Sequence, residues 1–213
     1  MKIFNKKKIK LFFDYMKSRP KRFSVRLSEN EKEFFLRHIK DAKNYLEFGT
    51  GGSTFLTLLN SKADIVGVES DNNWLNYLRK WILIRKNERS GRLKLVHIDI
   101  GKTKGWGVPV DDSEKDKWPN YSSEIFKIID AGKIDMVLVD GRFRVACALS
   151  TIIHCNEDAK IIIHDFNDRP EYHVLLDYLE ITDSADTFAA FKVKKLAMGG
   201  LQQELERYAY DYR

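Results

Sequence analysis

Gly49-Thr50-Gly51-Gly52-Ser53-Thr54 is a segment of this 213-residue chain built for contact with a ligand. Glycines at that spacing let the backbone turn tightly and approach a ligand closely. A helix starting at Ser53 would add free N–H groups and the positive end of its dipole. A dinucleotide fingerprint would carry Gly or Ala at the sixth position, where Thr54 stands. Two carboxylates are placed to meet the rest of a nucleotide. Glu69 ends the next apolar run and can accept from both hydroxyls of a ribose. Asp99 follows His97-Ile98 at the end of a third run and can accept from an adenine amino group.

A second set of polar residues follows two further apolar runs. Asp140-Gly141-Arg142-Phe143-Arg144 comes after Met136–Val139, and His164-Asp165-Phe166-Asn167-Asp168-Arg169 comes after Ile161–Ile163. Ionisable groups set against apolar strand ends have easily shifted pKa values. Arg142, Arg144 and Arg169 can hold an anionic substrate through paired N–H bonds, or pair with Asp165, Asp168 and Glu171. Between Asp99 and Ile134 runs a long connection containing Trp106, Trp118 and Tyr121. Long connections in compact domains tend to be functional, and these three aromatics suit stacking on a sugar ring or covering a site.

The elements that must position these residues alternate along the chain. Ser28 and Glu31 have capping-box spacing and open a helix whose apolar residues are Phe34, Phe35, Leu36 and Ile39. Strands are expected at Tyr45–Phe48, Ile65–Glu69, Leu93–Ile98, Ile134–Val139, Lys160–His164 and Thr187–Val193. Helices are expected at Ser53–Asn60, Asp71–Lys86, Val145–His154 and Tyr172–Leu179. Trp74, five residues after Glu69, could wall an adenine, but its helical spacing with Leu75 and Leu78 favours core packing. Strands such as Met136-Val137-Leu138-Val139 are continuously apolar, so they are buried on both faces of a parallel sheet covered by helices. The fold class is therefore α/β, doubly wound and Rossmann-like, with ligands at the carboxyl ends of the strands.

Composition narrows the rest. Apolar residues make up 43% and charged residues 32%, with 12 glycines and 4 prolines, which excludes collagen-like and wholly disordered chains. No apolar run is long enough to span a membrane, and no apolar stretch follows the basic start, so no secretory signal is expected. Cys147 and Cys155 form neither a disulfide framework nor a metal-ligand pattern, as suits the cytoplasm. The net charge of +6 is uneven: residues 1–26 hold ten Lys or Arg and one acid, a net of +9, leaving −3 for the other 187 residues. This aromatic, basic arm suits an anionic membrane surface, such as the inner face of the membrane, or a protein partner. With the body acidic, nucleic acid is not expected as a partner. The amphipathic tail, Leu201 to Arg213, is expected to be helical and suits a homodimer contact.

Tyr45-Leu46-Glu47-Phe48-Gly49-Thr50-Gly51-Gly52, with Glu69 and Asp99, resembles the nucleotide half of the class I S-adenosylmethionine-dependent methyltransferases. The resemblance runs from residue 45 to about 193. It implies a seven-stranded sheet with an antiparallel last strand, S-adenosyl-L-methionine as cofactor, and Glu47, Gly49, Gly51, Gly52 and Ser53 at its methionine end. Residues 1–40 then read as a basic helical extension and 41–213 as the methyltransferase-like domain. Methyl transfer from a sulfonium is an in-line displacement, so the protein aligns the acceptor and removes its proton. That makes Asp140, His164 and Asp165 the candidate bases. The same stretches resemble the metal-dependent catechol-type O-methyltransferases, which implies a divalent ion on Asp140 and Asp165. The third position of that metal set is Phe166, which offers no oxygen. The Asp-Gly-Arg and His-Asp variants resemble bacterial methyltransferase-like proteins found with surface-polysaccharide genes. The expected function is O-methylation of a small or sugar-like acceptor. The alternatives are an RNA methyltransferase using the basic arm, or a non-catalytic nucleotide-binding protein that keeps the fold.

Overall fold

In the computed structural model the described residues are 23–194 and 200–213. The basic segment 1–22, most of the expected arm, lies outside them. Helix α1 (Glu29–Ile39) opens on the capping box: Glu31 N donates to Ser28 Oγ, and Ser28 N donates back to Glu31. Strand β1 (Asn44–Phe48) then runs through the centre of the sheet into α2 (Gly52–Asn60). The following units are β2 (Asp64–Glu69), α3 (Asn72–Leu78), α4 (Ile82–Arg89) and β3 (Leu93–His97). The long connection carries a two-stranded ribbon, β4 (Thr103–Lys104) with β5 (Val108–Pro109), and a short helix α5 (Asn120–Ser123). After it come β6 (Met136–Val139), α6 (Arg144–His154), β7 (Lys160–Ile163), a 3₁₀ segment Pro170–Asp177, β8 (Leu179–Ala185), β9 (Phe188–Val193) and α7 (Leu201–Tyr208).

Seven strands form one sheet in the order β3-β2-β1-β6-β7-β9-β8. The five strands from β3 to β7 in that order pair in parallel, and β9 runs antiparallel to both β7 and β8. The chain moves outward from β1 on one side and returns to fill the other, so the switch point lies between β1 and β6. Register fixes what gathers there. Phe48 is level with Val68 and with Val139, and Val139 with Ile163. The next residue of each strand is Gly49, Glu69, Asp140 or His164, so all four leave the sheet at one edge.

Side chains alternate between two cores, as the strand period demands. On one face Leu46, Phe48, Val137, Val139, Ile161 and Ile163 pack under α6, α7 and the long connection. On the other Tyr45, Met136, Leu138 and Ile162 pack under α1 to α4, where Phe34 and Phe35 of α1 are fully buried. Cys147 is a buried thiol of the α6 core, its pKa pushed well up by burial. No helix among the described residues is long and apolar enough to cross a membrane.

Three expectations are corrected. The single helix expected over Asp71–Lys86 is two, because the Arg85 guanidinium donates to the Arg79 and Lys80 carbonyls at 2.8 and 3.1 Å and Trp81 takes an extended conformation between them. The helix expected over Tyr172–Leu179 is a 3₁₀ segment that ends before Leu179. Strand β8 was not expected: its Thr182-Asp183-Ser184 lies at a sheet edge, bulged at Ile181/Asp183, with polar residues that read as a turn. The tail is helical as expected, and α7 packs on its own chain. Leu201 is buried against α6, and Tyr212 meets Trp118 at a 5.4 Å ring separation.

Candidate active site

The edge defined by the register opens into a cleft of about 790 Å³, enough for a cofactor and a small acceptor together. The glycine turn forms its floor. Gly49 takes φ +86°, and a side chain there would meet the Gly141 backbone at 2.7 Å. A side chain at Gly141 would in turn collide with Tyr121 Oη. The two glycines therefore let the loops after β1 and β6 touch through bare backbone.

Glu47 holds the turn from beneath. It is fully buried and accepts hydrogen bonds from Tyr45 Oη at 3.1 Å, from Ser53 Oγ at 2.7 Å and from Thr54 Oγ1. Thr54 Oγ1 also accepts from Gly51 N at 2.9 Å, which joins the last residue before α2 to the strand below. Burial pushes the Glu47 carboxyl up to about 7 despite these three donors. Glu69 lines the cleft one strand away. Its oxygens accept from Thr50 N and Oγ1 at 3.2 Å and from Ser70 N at 2.9 Å, and burial raises its pKa in spite of them. Trp74 packs against the core with one side and lines the cleft with the other, its Nε1 donating to the Thr50 carbonyl at 2.7 Å.

Opposite the turn stand Asp140, Arg142, Arg144, His164, Asp165 and Arg169. His164 Nδ1 lies 2.7 Å from Asp140 Oδ1, while its Nε2 is 3.7 Å from both Glu31 Oε1 and Asp165 Oδ1. Burial opposes a charged imidazole, but the Asp140 hydrogen bond and the Asp140 and Asp165 charges outweigh it, so the His164 pKa is raised. Arg144 is buried and bridges the two loops. Its guanidinium donates to the His164 carbonyl and Asp165 Oδ2, each at 2.7 Å, and to Gly141 O at 3.0 Å, with Asp140 Oδ1 at 3.4 Å. Burial raises the Asp165 pKa, but Arg144 and His164 more than offset it and hold it below the usual carboxylate range. Trp106, Phe143 and Asp165 sit in left-handed backbone, at φ 67°, 54° and 58°. Such strain in three non-glycine residues gathers at this edge because packing over-determines it.

The residues do not fit a divalent ion. The two acids implied as ligands already share the fixed cation Arg144, and buried Phe166 supplies no oxygen. Among the described residues no group of three or more His, Cys, Asp or Glu is placed to hold a metal.

Not every residue singled out by sequence reaches the cleft. Asp99 points outward, paired with Lys117 at 2.9 Å, while its neighbour Ile98 turns inward. Trp118 is 2% exposed and packs on Phe143 and Tyr212, so it is core and not a stacking platform. Trp106 and Tyr121 do line the cleft, with Trp106 70% exposed. Arg144 is spent in ion pairs rather than offered to a substrate. Sequence reasoning missed two contributors and ranked a third, Trp74, as core first. Phe23 to Leu27 form one wall, with Phe23 stacked on Phe55 at 4.0 Å and the Arg26 guanidinium 4.6 Å over Trp106. Phe23–Arg26, counted with the arm by charge, thus belongs to the site. Glu31, read only as a helix cap, also reaches His164 and accepts from Thr187 Oγ1 at 2.6 Å. Trp74 serves in both of the roles its position allowed, core packing and cleft wall.

Strand order, glycine turn and the acid ending β2 together define a Rossmann-like methyltransferase fold. No protein-family model matches the sequence, and no curated protein is similar enough in sequence to match. Among solved structures, a methyltransferase-like protein from Silicibacter pomeroyi is 28% identical, with a TM-score of 0.76 over 89% of this chain and 98% of that one. An O-methyltransferase from Bacillus cereus in complex with SAH is 13% identical, with a TM-score of 0.54 over 90% of this chain and 92% of that one. An SAH-bound methyltransferase from Podospora anserina is 14% identical, with a TM-score of 0.53 over 92% and 99%. At those identities the last two bear on the fold alone.

The raised carboxyl of Glu47 generates a stability prediction. Its pKa of about 7 lies above the ordinary 4.5, so folding favours the protonated form. That contribution is complete below about pH 4.5 and is lost as the pH rises through 7, an amount on the order of 3 kcal/mol. Denaturant unfolding should show native stability declining across this window, and Glu47→Gln should flatten the decline. Parallel pH profiles for the two proteins would contradict the account.

Proposed function

We propose that the protein is an S-adenosylmethionine-dependent methyltransferase that O-methylates a small acceptor. The observation that carries this reading is the shared edge: the glycine turn and Glu69 face the Asp140–His164 pair across one cleft. The likeness to the Silicibacter pomeroyi protein supports it.

When bound, the cofactor supplies an electrophilic methyl group on a sulfonium. The chain's own residues do the rest. The turn and the start of α2 offer backbone N–H groups to the cofactor's carboxylate. Glu69 takes the ribose hydroxyls, and Trp74 walls the same end. Asp140 and His164 act as one proton-accepting pair for the acceptor hydroxyl: the carboxylate fixes the Nδ1–H tautomer and stabilises the imidazolium that forms. Arg144 sets the spacing of the loops that carry them. No step needs a metal ion, since a guanidinium occupies the space between the acids.

Calorimetry with S-adenosylhomocysteine should give micromolar binding, and Glu69→Ala should weaken it at least tenfold, about 1.4 kcal/mol. Unchanged affinity in that variant would remove Glu69 from the cofactor site. The proton-accepting pair makes a separate prediction. With its pKa raised, His164 should titrate above its ordinary 6.5 when followed by NMR, and Asp140→Asn should lower that pKa. Because the pair must be unprotonated to accept a proton, turnover should rise with pH across the same range. A His164 titration indifferent to Asp140→Asn would contradict the pairing.

A further inference from the structure

Arg142 is a guanidinium of the cleft for which no acidic partner stands among the described residues. Its neighbour Arg144 is bound to Asp140 and Asp165. Arg169 reaches Asp165 at 3.5 Å and is partly exposed. The Arg142 guanidinium makes no ion pair or side-chain hydrogen bond among the described residues, and its Nε is buried without an acceptor. Burial and the charges of Arg144 and Arg169 work against its proton, with Tyr172 and Tyr121 offering partial compensation. A half-buried charge without a partner is costly and is retained where something pairs with it in use.

Its position says what. The side chain leaves the Asp140-Gly141 turn and runs past Gly107, its Cγ 3.8 Å from where a Gly107 side chain would begin. It therefore lines the cleft between the proton-accepting pair and the loop that carries Trp106. This half of the cleft holds three guanidiniums, Arg142, Arg144 and Arg169, against two carboxylates, Asp140 and Asp165. With Arg26 over Trp106 and Glu31 beside His164 counted as well, four guanidiniums face three carboxylates, an excess of one positive charge before His164 is counted. The cofactor end is already served, by the start of α2 for a carboxylate and by Glu69 for a ribose.

We infer that the methyl acceptor carries an oxyanion, a carboxylate or a phosphate, and that Arg142 binds it. A guanidinium fork matches the planar carboxylate and the phosphate edge through two parallel N–H bonds. Seated there, the anion would fix a hydroxyl of the same molecule beside the Asp140–His164 pair. Arg142 thus selects the acceptor by charge, while the pair selects the hydroxyl by position. This inference rests on the reading of the cleft as a methyltransferase site.

The test uses the full chain saturated with S-adenosylhomocysteine and titrated separately with inorganic phosphate and with acetate. At least one anion should bind saturably, and Arg142→Gln should weaken it at least tenfold while changing S-adenosylhomocysteine affinity less than twofold. Tighter phosphate marks a phosphorylated acceptor, and tighter acetate a carboxylic one. Arg142→Lys, which keeps the charge and loses the fork, should fall between. Removing a half-buried charge that has no ion-pair partner should also leave Arg142→Gln melting no lower than the native protein. No saturable anion binding, or binding indifferent to Arg142→Gln, would overturn the inference. So would a tenfold loss of S-adenosylhomocysteine affinity in that variant, which would assign Arg142 to the cofactor. If the native chain failed to bind S-adenosylhomocysteine at all, the methyltransferase reading would fall, and the phosphate titration would still report on Arg142.

Discussion

One buried guanidinium sets the geometry of the reacting end. Arg144 begins α6, and its donors reach the carbonyls of Gly141 and His164 together with the carboxylates of Asp140 and Asp165. Two loops from neighbouring strands are thereby tied to one rigid planar group. The burial penalty of such a charge is large unless its donors are met, and here both flanking acids and two carbonyls meet them. The arrangement explains why Asp165 tolerates left-handed backbone and why its carboxyl stays ionised. It also explains the absence of room for a divalent cation between the same acids. A fixed protein charge does the work of holding the two carboxylates apart.

The cofactor end depends on a different device. Glu47 is a strand residue with no access to solvent, yet it accepts from two hydroxyls of α2 and one of its own strand. It ties the first turn of α2 down to β1, so the glycine turn is held from below rather than by side chains within the cleft. That leaves the turn's upper surface bare for a ligand, as close backbone approach requires. The two ends meet where Gly49 and Gly141 touch. Neither position accepts a side chain, because each closes on the other loop or on Tyr121.

Much of this was legible in the sequence because it is local. The apolar runs announced the strands, the glycines announced the turn, Glu69 ends one strand and Asp140 directly follows another. What was hidden depends on long-range packing. Asp99 and Trp118 have suitable types and positions, but a one-residue choice of which side chain turns inward sends Asp99 to Lys117 and Trp118 into the core. Residues 23–27 look like the end of a basic arm because charge was the only local signal, and their packing on Phe55 and Trp106 appears only in three dimensions. Glu31 was fully explained as a helix cap, which concealed its second role beside His164. Strand β8 failed to register because an edge strand need not be apolar.

The central claim is that one cleft presents a cofactor's methyl group to the Asp140–His164 pair. A crystal structure with S-adenosylhomocysteine tests it most directly. The account predicts the ribose hydroxyls on Glu69, the carboxylate at the glycine turn, and the sulfur facing Asp140 and His164 across open space. Cofactor bound elsewhere, or in this cleft with its sulfur turned away from the pair, would contradict it.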